Sequence, residues 1–152
     1  MEPQGTTVYT GEARHMLDDK NRLTIPSGWR SSAGVGAAFL AVPQTDDAGN
    51  HFIAVLTPAK VAAIHANAAQ IPISNIKARQ ALTRFFSRSQ DFSYDKQGRA
   101  AITPEHCQHA GITREAVLVG AMDNFFIYSP ETWERICKPE GDDNAILSQL
   151  GI

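Results

Sequence analysis

The chain has 152 residues, of which 43% are hydrophobic and 20% charged, so it can bury a core and wholesale disorder is excluded. A formal net charge of −2 excludes a uniformly basic polyanion binder but not a local basic patch. Cys107 and Cys137 are the only cysteines. They are too few for a secreted disulfide framework and lack paired zinc spacing, which makes a reducing cytoplasm the expected compartment. No apolar run approaches the about 18 residues that cross a bilayer. The opening MEPQGTT lacks the basic and apolar regions of a signal peptide, so no membrane association is expected.

In chain order, residues 1–10 form an N-terminal arm and residues 11–70 a first structural unit. Residues 11–17 and 23–25 are short β-like runs flanking a tight turn, expected to pair as a hairpin. Pro26-Ser27 then opens a short helical turn. Residues 38–42 and 52–56 form a second strand pair, joined by an Asp/Gly/Asn-rich stretch over 44–50 that composition marks as a solvent loop. A helix over 58–69 closes the unit, with Pro58 at its first position. Residues 71–90 make a basic connector, in which Ile76, Leu82, Phe85 and Phe86 form a rough helical stripe and Lys77, Arg84 and Arg88 gather on another side. Residues 91–138 form a second unit. It holds β-like runs at 92–94 and 100–102, a helix opened by Thr103-Pro104, strands at 116–119 and 125–128, and a helix over 130–138. The tail, 139–152, begins as an acidic linker and ends in a segment at 145–150 too short to be a stable helix alone, so that it either docks or frays.

The two units repeat one pattern. Asp18-Asp19-Lys20-Asn21-Arg22-Leu23-Thr24-Ile25-Pro26 aligns with Asp95-Lys96-Gln97-Gly98-Arg99-Ala100-Ala101-Ile102-Thr103 at an offset of 77 residues. The same offset carries Ala33-Gly34 onto Ala110-Gly111 and Val42 onto Val119. Beyond that the first unit holds five extra residues, after which Thr57-Pro58 falls on Ser129-Pro130. A duplication that preserves this order predicts a pseudo-twofold architecture. Asn21 and Gly98 occupy the turn position that demands positive φ, and Asp18 and Asp95 open the turns, where a carboxylate accepts backbone N–H groups ahead of it.

Charge is segregated along the chain. Residues 77–99 carry a net +4 and residues 100–152 a net −5, which separates an anion-facing side from a repelling one. Arg14, His15, Lys20, Arg22 and Arg30 cluster around the first hairpin. A rigid turn presenting arginine can place a guanidinium in a DNA groove, and neighbouring lysines can grip phosphate. The plainer reading is that Asp18 pairs with Arg22, and Asp95 with Arg99, only to stiffen the turns. The two readings are compatible, since a carboxylate that orients an arginine also pre-organises it. An enzyme or metal site is not expected. His106-Cys107-Gln108-His109 lacks a second ligand pair at finger spacing, its adjacent residues diverge on a helix, and no phosphate loop, GxSxG or HExxH occurs. Neither a cofactor nor a resident metal is expected.

Residues 11–30 (GEARHMLDDKNRLTIPSGWR), 79–106 (RQALTRFFSRSQDFSYDKQGRAAITPEH) and 110–136 (AGITREAVLVGAMDNFFIYSPETWERI) together resemble the MraZ family of bacterial transcriptional regulators. The resemblance implies an α+β fold, a pseudo-twofold swapped-hairpin (AbrB-like) β-barrel built from two tandem repeats with short helices. It further implies a non-enzymatic, sequence-specific DNA-binding regulator, acting as a repressor. Its sites would be direct repeats in double-stranded DNA upstream of its own gene and of a division and cell-wall gene cluster. Assembly into a ring-like homo-oligomer and a nucleoid-associated cytoplasmic location follow from the same resemblance. Carried over by position, the family's DxxxR residues are Asp18 and Arg22 in the first repeat and Asp95 and Arg99 in the second, which makes Arg22 and Arg99 the expected DNA contacts. The charge and turn readings add Lys20 and Lys96 on phosphate, Arg14 as a lesser contact, and Asp18, Asp95, Asn21 and Gly98 as the residues that shape the turns. Asn21 stands where the family usually has glycine. The alternative reading is a structural assembly or protein-interaction module whose basic tips are incidental.

Overall fold

The computed structural model describes residues 7–30 and 38–152. The aligned Ala33-Gly34 step and most of the N-terminal arm lie outside the described residues. The first repeat contributes β1 (Glu12–Met16), β2 (Arg22–Thr24), a 3-10 turn (Ser27–Trp29), β3 (Leu40–Thr45), β4 (His51–Leu56) and α1 (Pro58–Ala68). After α2 (Ile76–Ser87), the second repeat contributes β5 (Gln90–Asp91), β6 (Arg99–Ala101), α3 (Pro104–Ala110), β7 (Glu115–Gly120), β8 (Phe125–Tyr128) and α4 (Pro130–Ile136). The chain ends in α5 (Asp143–Gln149), a helix in which no residue is buried. Three helices start in the same way. The Thr57, Thr103 and Ser129 hydroxyls accept from the backbone N–H of Lys60, His106 and Thr132, each with proline following the cap. A proline there has no N–H to leave unsatisfied and its fixed φ suits the first helical turn.

Strand pairing interleaves the repeats. One antiparallel sheet runs in the order β1-β7-β8-β4-β3-β5, and β2 pairs with β6 in a separate two-stranded ribbon. The two hairpins expected at 11–17/23–25 and 92–94/100–102 therefore do not pair within themselves. The turns are present, but β1 runs along β7 and β5 along β3, while β2 and β6 leave the large sheet and pair with each other. Residues 92–94 are not a strand; Phe92 and Tyr94 are instead buried in the core. The reason is burial: neither short β-run can cover its own apolar side, and exchanging partners puts Leu23, Ile25, Ala100 and Ile102 against the large sheet.

The registers are symmetric residue by residue. Arg14 faces Val117 and Ala13 faces Leu118; adding the 77-residue offset gives the observed pairs of Asp91 with Leu40 and Gln90 with Ala41. Leu23 faces its own counterpart Ala100, and Ala54 faces its own counterpart Phe126. A pseudo-twofold axis thus passes through both sheets at these two self-pairs. β1 and β5 end the sheet order, so among the described residues no hydrogen-bonded barrel closes. The α+β class holds, as two layers with helices.

The core between the layers combines Leu23, Ile25, Ala100 and Ile102 of the ribbon side with Ala41, Ile53, Val55, Leu118, Phe125 and Ile127 of the sheet. The sheet's other face carries Val42, Ala54 and Leu56, covered by Val61 and Ile64 of α1 and Phe85 of α2. Leu23 has no exposed surface and stands on the axis between the layers. Leu23→Ala is expected to lower stability by about 2–5 kcal/mol, measured as a reduced urea midpoint at unchanged slope; a loss under ~1 kcal/mol would show that the ribbon does not depend on this contact.

Candidate nucleic-acid interface

Each arginine turn is built around one carboxylate. Asp18 accepts the backbone N–H of Lys20 and of Arg22 at 2.9 Å and Arg22 Nε at 2.7 Å. Asp95 accepts the backbone N–H of Gln97 and of Arg99 at 2.9 Å and Arg99 Nε at 3.1 Å. The residue before each arginine has positive φ, 56° at Asn21 and 78° at Gly98, a region that glycine and asparagine tolerate best. Backbone hydrogen bonds are the chief cause holding the Asp18 and Asp95 carboxyls below the ordinary carboxylate value, with the Arg22 and Arg99 side chains adding to it.

Alternation along the ribbon sets the direction of the arginines. Leu23 and Ala100 point inward, so Arg22, Thr24, Arg99 and Ala101 share the outer face. Arg22 faces Ala101 and Arg99 faces Thr24. The two arginines are therefore diagonal neighbours roughly 7–8 Å apart at the backbone, related by the pseudo-twofold axis. Their side chains are 24% and 35% exposed, partly ordered by the carboxylates yet open to a ligand. Among the described residues Arg22 engages Asp18 through Nε, leaving the terminal nitrogens free to donate.

Lys20 and Lys96 both lie in these turns but are not symmetry mates. Lys20 corresponds to Gln97, and Lys96 corresponds to Asp19. Arg14 is placed elsewhere: it lies on β1 of the large sheet, where its guanidinium meets Glu115 at 3.5 Å. Arg84 and Arg88 line an open groove along α2 with Ala81, Phe85 and Ser87.

A third turn follows the same scheme. Asp46 accepts the backbone N–H of Ala48 and Asn50 and the Asn50 side-chain amide, and Gly49 takes a φ of 84°. As composition suggests, this stretch is a mostly exposed connection between β3 and β4, although Gln44 and Thr45 still belong to β3. The D-x-x-G-N spacing carries the signal for the turn. Asn50 fills the place that arginine holds in the other two turns, and its Oδ1 accepts from Arg135 of α4. The local turn geometry is thus reached with a neutral side chain at that position.

The His106–His109 stretch is committed to structure. The His106 Nε2 proton goes to the Arg88 carbonyl at 2.8 Å and that of His109 to the Gln44 carbonyl at 2.9 Å. Burial pushes the Cys107 thiol up, opposite to the shift an activated thiolate needs. Among the described residues no group of three or more His, Cys, Asp or Glu side chains converges as a metal site.

Known proteins resemble this chain in sequence. Residues 85–145 match the family described as "MraZ protein, putative antitoxin-like". A transcriptional regulator MraZ of Clostridium acetobutylicum is 32% identical over 148 residues, 95% of this chain and 100% of the relative. The chain belongs to the MraZ family. A transcriptional regulator MraZ from Lactobacillus delbrueckii subsp. bulgaricus is 34% identical over 127 residues, 84% of this chain and 85% of the relative. One from Limosilactobacillus fermentum is 31% identical over 126 residues, covering 83% and 84% respectively. The alignment with the Clostridium acetobutylicum relative spans 95% of the chain, so the likeness extends beyond residues 85–145.

A carboxyl whose folded value is lowered stabilises the fold above its ordinary value, and loses that contribution as pH falls through the lowered folded value. Thermal melts from about pH 6 to about pH 2 should therefore show a flatter acid limb in Asp18→Asn/Asp95→Asn than in the natural sequence. Superimposable acid limbs would show that these turns carry no linked stability.

Proposed function

We propose that this chain is a non-enzymatic transcriptional regulator that binds double-stranded DNA through the outer face of the β2–β6 ribbon. The observation that carries the reading is the pair of dyad-related arginines on that face, in turns of a kind that Asp46 builds with Asn50 in place of arginine. A two-stranded ribbon fits the major groove, and a guanidinium matches the two acceptors of guanine. In this reading Arg22 and Arg99 read base edges, while Lys20 and Lys96 grip phosphate and fix register. Arg14 makes a lesser contact, since its guanidinium is already turned to Glu115. Asp18 and Asp95 orient the arginines and do not touch DNA. The names of the relatives, all transcriptional regulators, support the same reading.

The proposal extends to repression at direct repeats upstream of the chain's own gene and its division and cell-wall cluster, by a ring-like homo-oligomer in the nucleoid. Exposed apolar residues, Ile146, Leu147, Leu150 and Ile152 in the tail and Ile76 on α2, support self-association. A ring multiplies weak single-subunit contacts along spaced repeats. No described helix is long and apolar enough to cross a membrane.

Fluorescence anisotropy with a labelled duplex from upstream of the chain's own gene tests this, with a scrambled duplex as reference. Arg22→Ala and Arg99→Ala should each cost about 1–3 kcal/mol of specific binding, and the double variant should lose preference for the upstream duplex. Melting temperatures should stay within a few degrees, because exposed ion pairs contribute little to stability. Affinity should fall steeply with salt as phosphate contacts release counterions. Full-affinity binding by the double variant would overturn the assignment. No binding at low salt, together with salt-insensitive protein association, would favour an assembly module instead.

A further inference from the structure

Arg30 follows the 3-10 turn of the first repeat, yet its guanidinium lies against the turn of the second. A Cβ built on Gly98 would sit 2.4 Å from Arg30 Nη1 and 2.5 Å from Cζ. Any larger residue there would displace this guanidinium from its place one residue before Arg99. Gly98 is buried under it, whereas Asn21, its counterpart in the first turn, is half-buried. The contact has no mirror image: the position equivalent to Arg30 in the second repeat is Cys107, a buried thiol.

The guanidinium is also unmatched. Among the described residues no carboxylate lies within ion-pair reach of Arg30, and its Nε is buried with no hydrogen-bond partner. Buried polar atoms ordinarily have partners, and a partly buried cation without an anion is an unfavourable arrangement that a bound anion would relieve. Arg30 as a whole is only half-buried, and among the described residues its terminal nitrogens take part in no ion pair. The backbone is fixed independently, since the Tyr94 hydroxyl donates to the Arg30 carbonyl at 2.7 Å.

Charge at the two turns is correspondingly unequal. Residues 18–22 hold two acids and two bases, whereas residues 95–99 hold one acid and two bases. With Arg30 seated on it, the second turn carries two net positive charges against none on the first. We propose that Arg30 is a third DNA-contacting arginine, delivered by the first repeat to the second turn, where it binds backbone phosphate. This rests on the DNA-binding reading above. The ribbon face is then twofold in shape but one-sided in charge, so it grips a duplex in a preferred direction.

The test is anisotropy with the upstream and scrambled duplexes, on the natural sequence, Arg30→Gln and Arg30→Lys, between about 50 and 200 mM salt. Arg30→Gln should weaken binding to both duplexes alike, several-fold at the low-salt end. It should also make the plot of log affinity against log salt shallower by about 0.9, one phosphate contact. Arg30→Lys should restore the slope, and Arg22→Ala should instead reduce the preference between duplexes. If Arg30→Gln keeps the natural affinity and slope, the Arg30 assignment falls and the DNA-binding reading stands. If Gln and Lys lose affinity equally, with equal losses of melting temperature, Arg30 is a packing residue and the assignment also falls. Failure of the natural sequence to bind either duplex overturns both.

Discussion

Burial of Leu23 against Ala100 on the pseudo-twofold axis governs the exposed chemistry of this molecule. Both belong to strands of three residues, and both are fully enclosed between the ribbon and the large sheet. Side chains alternate across a strand, so enclosing these two forces Arg22 and Arg99 to the opposite face. A one-residue slip in the β2–β6 register would turn the arginines inward and expose the leucine. The apolar contact and the direction of the guanidiniums are thus one constraint seen from two sides.

The carboxylate turns complete what alternation begins. Each aspartate gathers two backbone N–H groups ahead of it and holds the side chain of the residue four positions on. That arrangement does not require arginine, because Asp46 achieves it with Asn50. At β2 and β6 the same device orders a partly exposed cation, held through Nε in Arg22 and through Nε and Nη2 in Arg99, which lowers the entropy lost when a ligand is bound. At β3–β4 the neutral version passes its remaining oxygen to Arg135 of α4, a contact inside the fold.

Strand exchange makes one body of two repeats. β1 lies on the second repeat's β7, β5 lies on the first repeat's β3, and both β4–β8 and β2–β6 join the repeats across the axis. Neither repeat owns a complete sheet, so the two arginine turns are held at a fixed separation by shared core residues rather than by a linker. Five acids of the C-terminal third, Glu131, Glu134, Glu140, Asp142 and Asp143, lie on α4, α5 and the segment between them. Trp133 of α4 donates its indole proton to Glu12 of β1, which ties that region to the sheet edge.

The sequence by itself determined the duplication, the turn chemistry and nearly every helix start, because these depend on residues close together in the chain. Asp18, Asp95, Asn21 and Gly98 act through neighbours within four positions, and Thr57, Thr103 and Ser129 cap the helices that follow them at once. The third carboxylate turn was equally local and was hidden only by its loop-like composition. Tertiary structure alone decided which strands pair, since exchange within and between repeats satisfies the same backbone groups and only long-range burial chooses between them. It also decided that Arg14 is turned to Glu115 on the large sheet. The meeting of Arg30 with Gly98, sixty-eight positions later, was invisible for the same reason: a missing Cβ makes room for a distant guanidinium only once the repeats have folded around each other.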